Sequence, residues 1–257
     1  MKTHLRALIL LFAAVMSPAT SYAQAVGTPE FDPLGEHLDL PKLIRIMVEY
    51  VEMPHEEFTK LIEPVRRGAD DAEMRESAKK LVKEEKARML ETSVITTTAG
   101  QRAKVESILE KIYPTEYDPP QISDGEADSE NGEDEGAAGR AAVTPPTPTA
   151  FDIRNVGTTV EVEPNVDVDG VTVNLNIAPE IVYHGGEDSF GEWHTPDAES
   201  EVTQPRFYTM KCQTNITVIA GKYHMMTALS PHDEKGNPDP TRKVAVFVRA
   251  DILLVGK

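Results

Sequence analysis

The chain has 257 residues, with 43 acidic against 26 basic side chains and a formal net charge of -17 at pH 7. This balance argues against nucleic acid as a partner, because neutralising phosphates needs clustered Lys and Arg. The single cysteine, Cys212, cannot form an intramolecular disulfide, and the chain has no CxxC pair to hold zinc. With 40% apolar residues, the composition is that of a globular protein long enough for one or two domains.

Residues 1–25 have the pattern of a secretory signal peptide. Lys2 and Arg6 supply the positive start, and Ala7–Met16 is the apolar run. The AQA of residues 23–25 fits an A-x-A cleavage site, and the SYA of residues 21–23 competes with it. The apolar run is about half of the ~20 residues that a membrane-spanning helix needs. The pattern therefore predicts export.

Residues 26–40 contain two prolines and two glycines, which predict an irregular lead-in. Residues 41–87 then predict a small α+β unit. The alternation of apolar and polar residues over Leu43–Met53 is typical of a strand, ended by Pro54. His55–Ile62 fits a short helix with one apolar face, and helical spacing of apolar residues predicts a second helix over roughly Asp71–Ala87.

Residues 88–257 predict a mainly β module. Met89–Thr98 is rich in β-branched residues, and Gly100 supplies a turn. Arg102–Tyr113 fits both strand and helical spacing, and we favour a strand because it follows the Thr-rich arm. Tyr223–Leu229 and Lys243–Leu254 have strand patterns. The second is apolar on nearly both sides, as expected of a central or well-covered strand.

The clearest alternation flanks Asp169-Gly170, a dipeptide typical of two-residue hairpin turns. The alternating apolar residues are Val160, Val162, Val166 and Val168 before the turn, and Val171, Val173, Leu175 and Ile177 after it. We therefore predict a hairpin with one apolar face. Further on, Cys212 shares its parity with Tyr208, Met210, Ile216 and Val218, which favours a core role for the thiol over that of a nucleophile.

Residues 118–150 predict a disordered insertion between two strands. The segment carries eight acidic residues and one arginine, Arg140, and its only sizeable aliphatic residues are Ile122 and Val143. It cannot bury enough apolar surface to offset the entropy of ordering. Its acidic run does not follow the ligand order of an EF-hand loop, so we interpret it as a solvating tract and not as a calcium site.

Four stretches of the chain follow one another in a characteristic order. Val156-Gly157 precedes a strand pattern that ends at Pro164, and the alternating residues Val171–Ile177 follow it. Gly100, Gln101 and Ala103 mark a turn and an arm upstream, and TNITVIAGKYHMMTALSP and KVAVFVRADIL have the patterns of late strands. In this order the four stretches resemble the core of the secretins, the bacterial outer-membrane channel proteins of type II and type III secretion and of type IV pili, which has a valine-glycine pair, a strand ending in proline and a second alternating strand.

This resemblance spans about Arg88–Leu254 and implies a β-fold, an envelope location and a tendency to assemble. It does not extend to an open channel. Thr227-Ala228-Leu229 stands where secretins usually carry a glycine pair and a leucine, and only HDEKGNPDPT stands where they carry the segment of the membrane lip. The short stretch Asp39–Ala87 takes the place of their string of periplasmic ring modules.

The third hypothesis for the function of this protein is that it is an enzyme. A zinc site could combine His184 and His194 with a carboxylate of Glu187, Asp188 or Glu192, but the spacing matches no metal motif. Ser189 misses the G-x-S-x-G pattern by its first residue, and no phosphate-binding glycine motif is present. We therefore assign no catalytic, cofactor-binding or metal-ligating residue and expect neither enzymatic activity nor a cofactor.

The sequence thus predicts an α+β chain: a short strand-helix-helix unit, then a mainly antiparallel secretin-like β module. We expect an exported protein of the periplasm or outer membrane of a Gram-negative-type bacterium. It would act by assembly in protein secretion or pilus biogenesis, with copies of itself or other envelope proteins as partners. The alternative is a monomeric periplasmic β-domain that binds another envelope protein. We expect no nucleic-acid partner and no small-molecule substrate.

Overall fold

Eleven strands and two helices make up the part of the chain that the computed structural model describes, residues 42–63, 70–123, 142–194 and 199–254. The predicted signal peptide and lead-in lie outside these residues. In chain order the elements are β1 (Lys42–Pro54), α1 (His55–Ile62), α2 (Ala72–Lys83), β2 (Arg88–Thr98), β3 (Ala103–Asp118), β4 (Gln121–Ser123), β5 (Ala142–Thr144), β6 (Thr147–Val166), β7 (Thr172–His194), β8 (Glu199–Lys211), β9 (Thr214–Ile219), β10 (Tyr223–Leu229) and β11 (Arg242–Leu254).

The first sheet is antiparallel, in the order β10-β11-β1-β2. Its central strand β11 is buried on both faces, as its sequence predicts: Val246 belongs to one core cluster and Phe247 to the other. The strand from the predicted N-terminal unit, β1, lies between β11 and β2 of the predicted β module.

The two helices cover one face of this sheet. Their apolar side chains Phe58, Met74 and Ala78 are buried against Met53 and Phe247. A buried ion pair adds to this contact, since the guanidinium of Arg75 donates to both carboxylate oxygens of Glu49 at 2.8 and 2.7 Å. The helices are therefore held to the sheet by buried apolar side chains and by one bidentate ion pair. No helix among the described residues is long and apolar enough to cross a membrane.

The second sheet has the order β3-β6-β7-β8, and β9 also pairs with β7. Strands β8 and β9 follow one another along the same edge of β7, with one register from Thr172↔Ile219 to His184↔Phe207. The interruption at Cys212 has a simple cause. The Cys212 N–H donates to the carbonyl of Pro179 at 3.1 Å, but Pro179 has no N–H to return a second bond.

The main core lies where the two sheets face each other. Every fully buried Val or Ile there contributes about 1.5–3 kcal/mol relative to an exposed position. The predicted hairpin provides much of this core. Away from its tip, the residues predicted to face inward are almost completely buried. The main-core residues with at most 1% exposure are Ile44, Ile46, Val48, Val160, Val162, Val173, Leu175, Ile177, Val218, Val244, Val246, Val248 and Ala250. The chain is thus mainly antiparallel β with two short helices, which confirms the predicted fold class.

The tip of the hairpin differs from the prediction. The register is the predicted one, with Val166 opposite Val173, but the strands end earlier than a two-residue turn at Asp169-Gly170 requires. The reason is the Asp169 carboxylate, which accepts hydrogen bonds from the backbone N–H groups of Val171 and Thr172 at 2.9 and 2.8 Å and so stabilises a wider loop. Val168 in this loop is fully exposed and Val171 is 52% exposed, so neither of these two residues faces the core as predicted.

Two further boundaries are corrected. Helix α2 ends at Lys83 and not near Ala87, because Glu85 has a φ of 58°, outside the helical region.

The predicted disorder over 118–150 is wrong at its two flanks. Gln121–Ser123 pairs with Ala142–Thr144, and β6 already begins at Thr147, because backbone pairing satisfies these segments without a large apolar core. Residues 124–141 lie outside the described part of the chain. The ambiguous Arg102–Tyr113 segment forms β3, a strand, as predicted.

Candidate interaction surface

The second sheet divides into two separate strand pairs at one end. Strands β6 and β7 pair from Val166↔Val173 to Gly157↔Val182. Beyond this point, Leu109–Asp118 of β3 pairs with Thr147–Val156 of β6, and we call this pair the first ribbon. Tyr183–His194 of β7 pairs with Glu199–Tyr208 of β8, and we call this pair the second ribbon. A cleft of 320 Å³ lies at the fork, lined by Asn155, Gly157 and Val182 among others.

Gly157 stands at the fork for a steric reason. Its φ is 131°, in a region that residues with a side chain rarely adopt. A Cβ at this position would lie 2.2 Å from the carbonyl oxygen of Ser107 and 3.0 Å from the Cα of Ile108, both on the neighbouring strand β3. The valine-glycine pair noted in the sequence therefore contains a glycine that the backbone of β3 requires.

The two ribbons contact each other through side chains. The rings of Tyr113 and Phe207 lie 5.6 Å apart, between β3 and β8. The amide of Gln204 donates to the carbonyl oxygen of Pro114 at 2.7 Å, and the Tyr117 hydroxyl donates to that of Thr203 at 3.4 Å. We call this set of contacts, which joins the β3 side of the first ribbon to the second ribbon, the seam.

The residues of the candidate zinc site do not form a metal centre in the described structure. His184 and Glu187 are neighbours, with 3.1 Å between Nε2 and Oε1, but Lys111 on β3 lies against both of them. Asp188 instead pairs with Arg206. The side chain of His194 is outside the described residues. Among those described, no group of three or more His, Cys, Asp or Glu side chains is arranged to hold a metal ion.

The two remaining histidines of residues 88–257, His224 and His232, have structural contacts. The ring of His232 packs against Tyr183, with 4.9 Å between centroids, and Nε2 of His224 accepts a hydrogen bond from the Ile219 N–H at 3.2 Å. Ser189 lies within β7, opposite Thr203, with no helix after it to form a nucleophile elbow. The seam is the feature that sequence reasoning missed, and Lys111 carried no signal in the sequence that could have paired it with His184.

Large apolar side chains are exposed on the first ribbon. Ile112 and Ile153 lie directly opposite each other, and Phe151 is two residues from Ile153 on the same side of the ribbon. These three side chains are 63%, 54% and 60% exposed, and we call them the apolar patch. Leu109 on the first ribbon and Phe190 on the second are exposed as well. Contiguous exposed apolar residues on strands are typical of a surface that another chain covers.

Open strand edges border this patch. Within the described residues, β3 pairs with β6 and with no other strand, and β8 pairs with β7 alone, so each has one edge without a partner strand. The seam already occupies the carbonyl oxygens of Pro114 on β3 and Thr203 on β8. The outer edge of β10 is partly closed as well, since the Asp71 N–H donates to the carbonyl oxygen of Tyr223 at 2.7 Å and the Asp71 carboxylate accepts from the Met225 N–H at 2.9 Å. Apart from the two carbonyls of the seam, β3 and β8 offer edges that another strand could pair with.

No family model matches the sequence, and no curated protein matches it. Solved structures that are similar to this chain include the type II secretion system secretin GspD of E. coli K12, with 13% identity, a TM-score of 0.36 and coverage of 84% of this chain and 51% of that one. Aeromonas hydrophila ExeD is similar at 13% identity and a TM-score of 0.39, over 84% of this chain and 49% of that one.

The Salmonella SPI-1 type III secretion injectisome secretin InvG is similar at 10% identity and a TM-score of 0.35, with coverage of 85% of this chain and 65% of that one. Two of these three structures are described as secretins, one of the type II and one of the type III secretion system. The chain spans about half the length of the first two of these proteins. Its role is therefore inferred from its own residues and contacts.

Proposed function

We propose that this chain is a secretin-like component of the bacterial cell envelope that acts by assembly, in protein secretion or type IV pilus biogenesis. The observation that carries the proposal is the apolar patch of Ile112, Phe151 and Ile153 on a strand pair with an open edge. The ordered resemblance of Arg88–Leu254 to the secretin core supports it independently. The partners would be copies of the chain or other secretion or pilus proteins, in the periplasm or at the outer membrane.

The physical argument combines the edge with the patch. An open strand edge pairs with any extended chain through backbone hydrogen bonds and has little selectivity by itself. An apolar patch beside it adds the free energy of desolvation and restricts the partners to those with a complementary apolar surface. Outside the carbonyls of Pro114 and Thr203, which the seam occupies, a subunit presents two different edges, β3 and β8. Two such edges can join copies head to tail, and this arrangement closes into a ring if the rotation permits.

The experiment is sedimentation and chemical cross-linking of the chain without residues 1–25, in buffer and in detergent. We expect a defined oligomer. The double variant Ile112→Asp with Ile153→Asp should weaken self-association by at least about tenfold, because it places charges in the surface that the partner buries. Val168→Asp is the matched control, since Val168 is fully exposed in the hairpin loop and lies outside the patch.

Two results would contradict the proposal. One is a strictly monomeric chain in the periplasmic fraction under all of these conditions, which would favour the alternative of a soluble β-domain that binds another envelope protein. The other is an oligomer that the double variant and the Val168→Asp control affect equally, because the apolar patch would then not be the contact surface.

A further inference from the structure

The two ribbons are joined to each other differently from the rest of the sheet. Within the described residues, their register of backbone pairing ends at Gly157↔Val182, and only side-chain contacts continue beyond it. Each ribbon also begins near a glycine with a positive φ, Gly157 at 131° on β6 and Gly186 at 108° on β7. Side-chain contacts across a hinge of this kind can break without loss of strand pairing inside either ribbon.

One of these contacts is a three-residue cluster. The ammonium group of Lys111, on the first ribbon, lies 2.7 Å from Nε2 of His184 on the second and contacts the carboxylate of Glu187 as well. An ammonium group has only N–H donors, so Nε2 must accept the bond with its lone pair, and the ring is neutral with its proton on Nδ1. Lys111 thus bridges the ribbons to both partners on β7.

The charged groups around the cluster have their own partners. Arg154, which lies opposite Lys111 on β6, donates to the hydroxyl of Thr209 at 3.3 Å. On the second ribbon, Arg206 pairs with Asp188, and on the first, Asp152 accepts a hydrogen bond from Tyr113 at 3.4 Å. The ring of Phe207 lies 6.1 Å from that of His184 and carries no charge. The hydrogen bond from Lys111 holds the pKa of Glu187 below its ordinary value, so this carboxylate stays ionised through mild acid. His184 is then the group of the cluster whose type ordinarily changes charge near neutral pH.

We propose that Lys111, His184 and Glu187 form a pH-sensitive latch that keeps the two ribbons together above neutral pH and releases them in mild acid. A proton taken up by His184 occupies Nε2, the atom that accepts from Lys111. The protonated ring then donates to Glu187, three residues away on the same strand, at the 3.1 Å already present. One of the two bonds of Lys111 to the second ribbon, the one to His184, is thereby exchanged for a bond within that ribbon, and Lys111 is left facing a second cation.

The direction of the effect follows from proton linkage. The closed state requires neutral His184, so it binds fewer protons than the open state and loses population as the pH falls. Between pH 7.5 and 5.5 we expect the ratio of open to closed ribbons to rise by about tenfold, the effect of losing one hydrogen bond that involves a charged group. This latch operates in a single chain, whether or not the proposed assembly occurs.

The test is a distance measurement between spin labels on the two ribbons. Cysteines are introduced as Thr149→Cys on β6 and Glu201→Cys on β8, both at exposed positions, in a chain with Cys212→Ser. Distances are recorded by double electron–electron resonance from pH 7.5 to 5.5. We expect a longer and broader distribution in acid, no pH response in His184→Gln, and the open distribution at every pH in Lys111→Met.

His55→Gln is the matched control, because His55 bonds to the carbonyl of Pro240, away from the seam, and its loss should leave the pH response intact. Far-UV circular dichroism at each pH shows whether the fold is retained. A distance that does not change with pH in the chain with His184 would overturn the proposal. A transition that persists in His184→Gln with the fold intact would overturn it as well, since another group would then carry the response.

Discussion

Replacing Gly157 by alanine tests the explanation given for the fork in the second sheet. The added Cβ would lie 2.2 Å from the Ser107 carbonyl oxygen, well inside the separation that real Cβ atoms keep, so β3 and β6 must move apart. The φ of 131° adds a backbone cost of about 1–3 kcal/mol for a residue with a side chain. Together with the lost hydrogen bonds and contacts near Ser107, we expect Gly157→Ala to cost about 3–5 kcal/mol.

The assay is urea unfolding followed by far-UV circular dichroism, with thermal melting as a second measure. At roughly 2–4 °C per kcal/mol for a chain of this size, the melting temperature should fall by about 6–20 °C. Gly170→Ala is the matched control. Gly170 has a φ of 68° but no atom within 4 Å of an added Cβ, so only the backbone cost of about 1–2 kcal/mol applies. The steric explanation is refuted if Gly157→Ala costs no more than Gly170→Ala.

Three further predictions concern stability. Glu49→Gln should cost about 3 kcal/mol, because it leaves Arg75 with a weakened partner in a pair of which the Glu49 side chain is only 5% exposed; urea unfolding measures this loss. The hydrogen bonds from Thr241 and Arg242 lower the pKa of Asp239 to about 2, so its stabilising effect is present above pH ~4 and is lost as the pH falls toward 2. Asp239→Asn should therefore lower the melting temperature at pH 7 and flatten its decline in acid. Deleting residues 125–139 should leave the melting temperature nearly unchanged, because Ser123 and Ala142 are paired and the three remaining residues suffice for a hairpin loop.

Each of these predictions has a control or a contradicting outcome. Glu56→Gln removes the carboxylate of an exposed ion pair with Lys60 and should change stability little, so equal effects at Glu49 and Glu56 would remove the special role of the buried pair. An Asp239→Asn protein with the same acid profile as the parent would show that another carboxylate governs the decline. A large loss of melting temperature on deletion would show that residues 125–139 contribute to folding.

The alternation of apolar and polar residues along the strands allowed most of the correct predictions about the fold. The alternation in Val160–Ile177 has a period of two, which decides which side chains share a face, and it therefore anticipated both the register and the buried residues of the hairpin. The strand β11 is apolar at consecutive positions, and only a strand covered on both faces tolerates that. Where the pattern failed, at the hairpin tip and at the end of α2, a local hydrogen bond or a single backbone conformation decided the boundary.

The sequence by itself determined the type of structure and most of the buried residues of the hairpin, because periodicity is a local property. Tertiary structure alone decided which strands are neighbours. It placed β1 beside β11, about 200 residues away, and brought Lys111 within 2.7 Å of His184. The period of a strand specifies its faces but not its partner, and side-chain contacts between separate ribbons depend on how the whole sheet bends at Gly157. The surface proposed for assembly and the latch proposed beside it both arise from that bend.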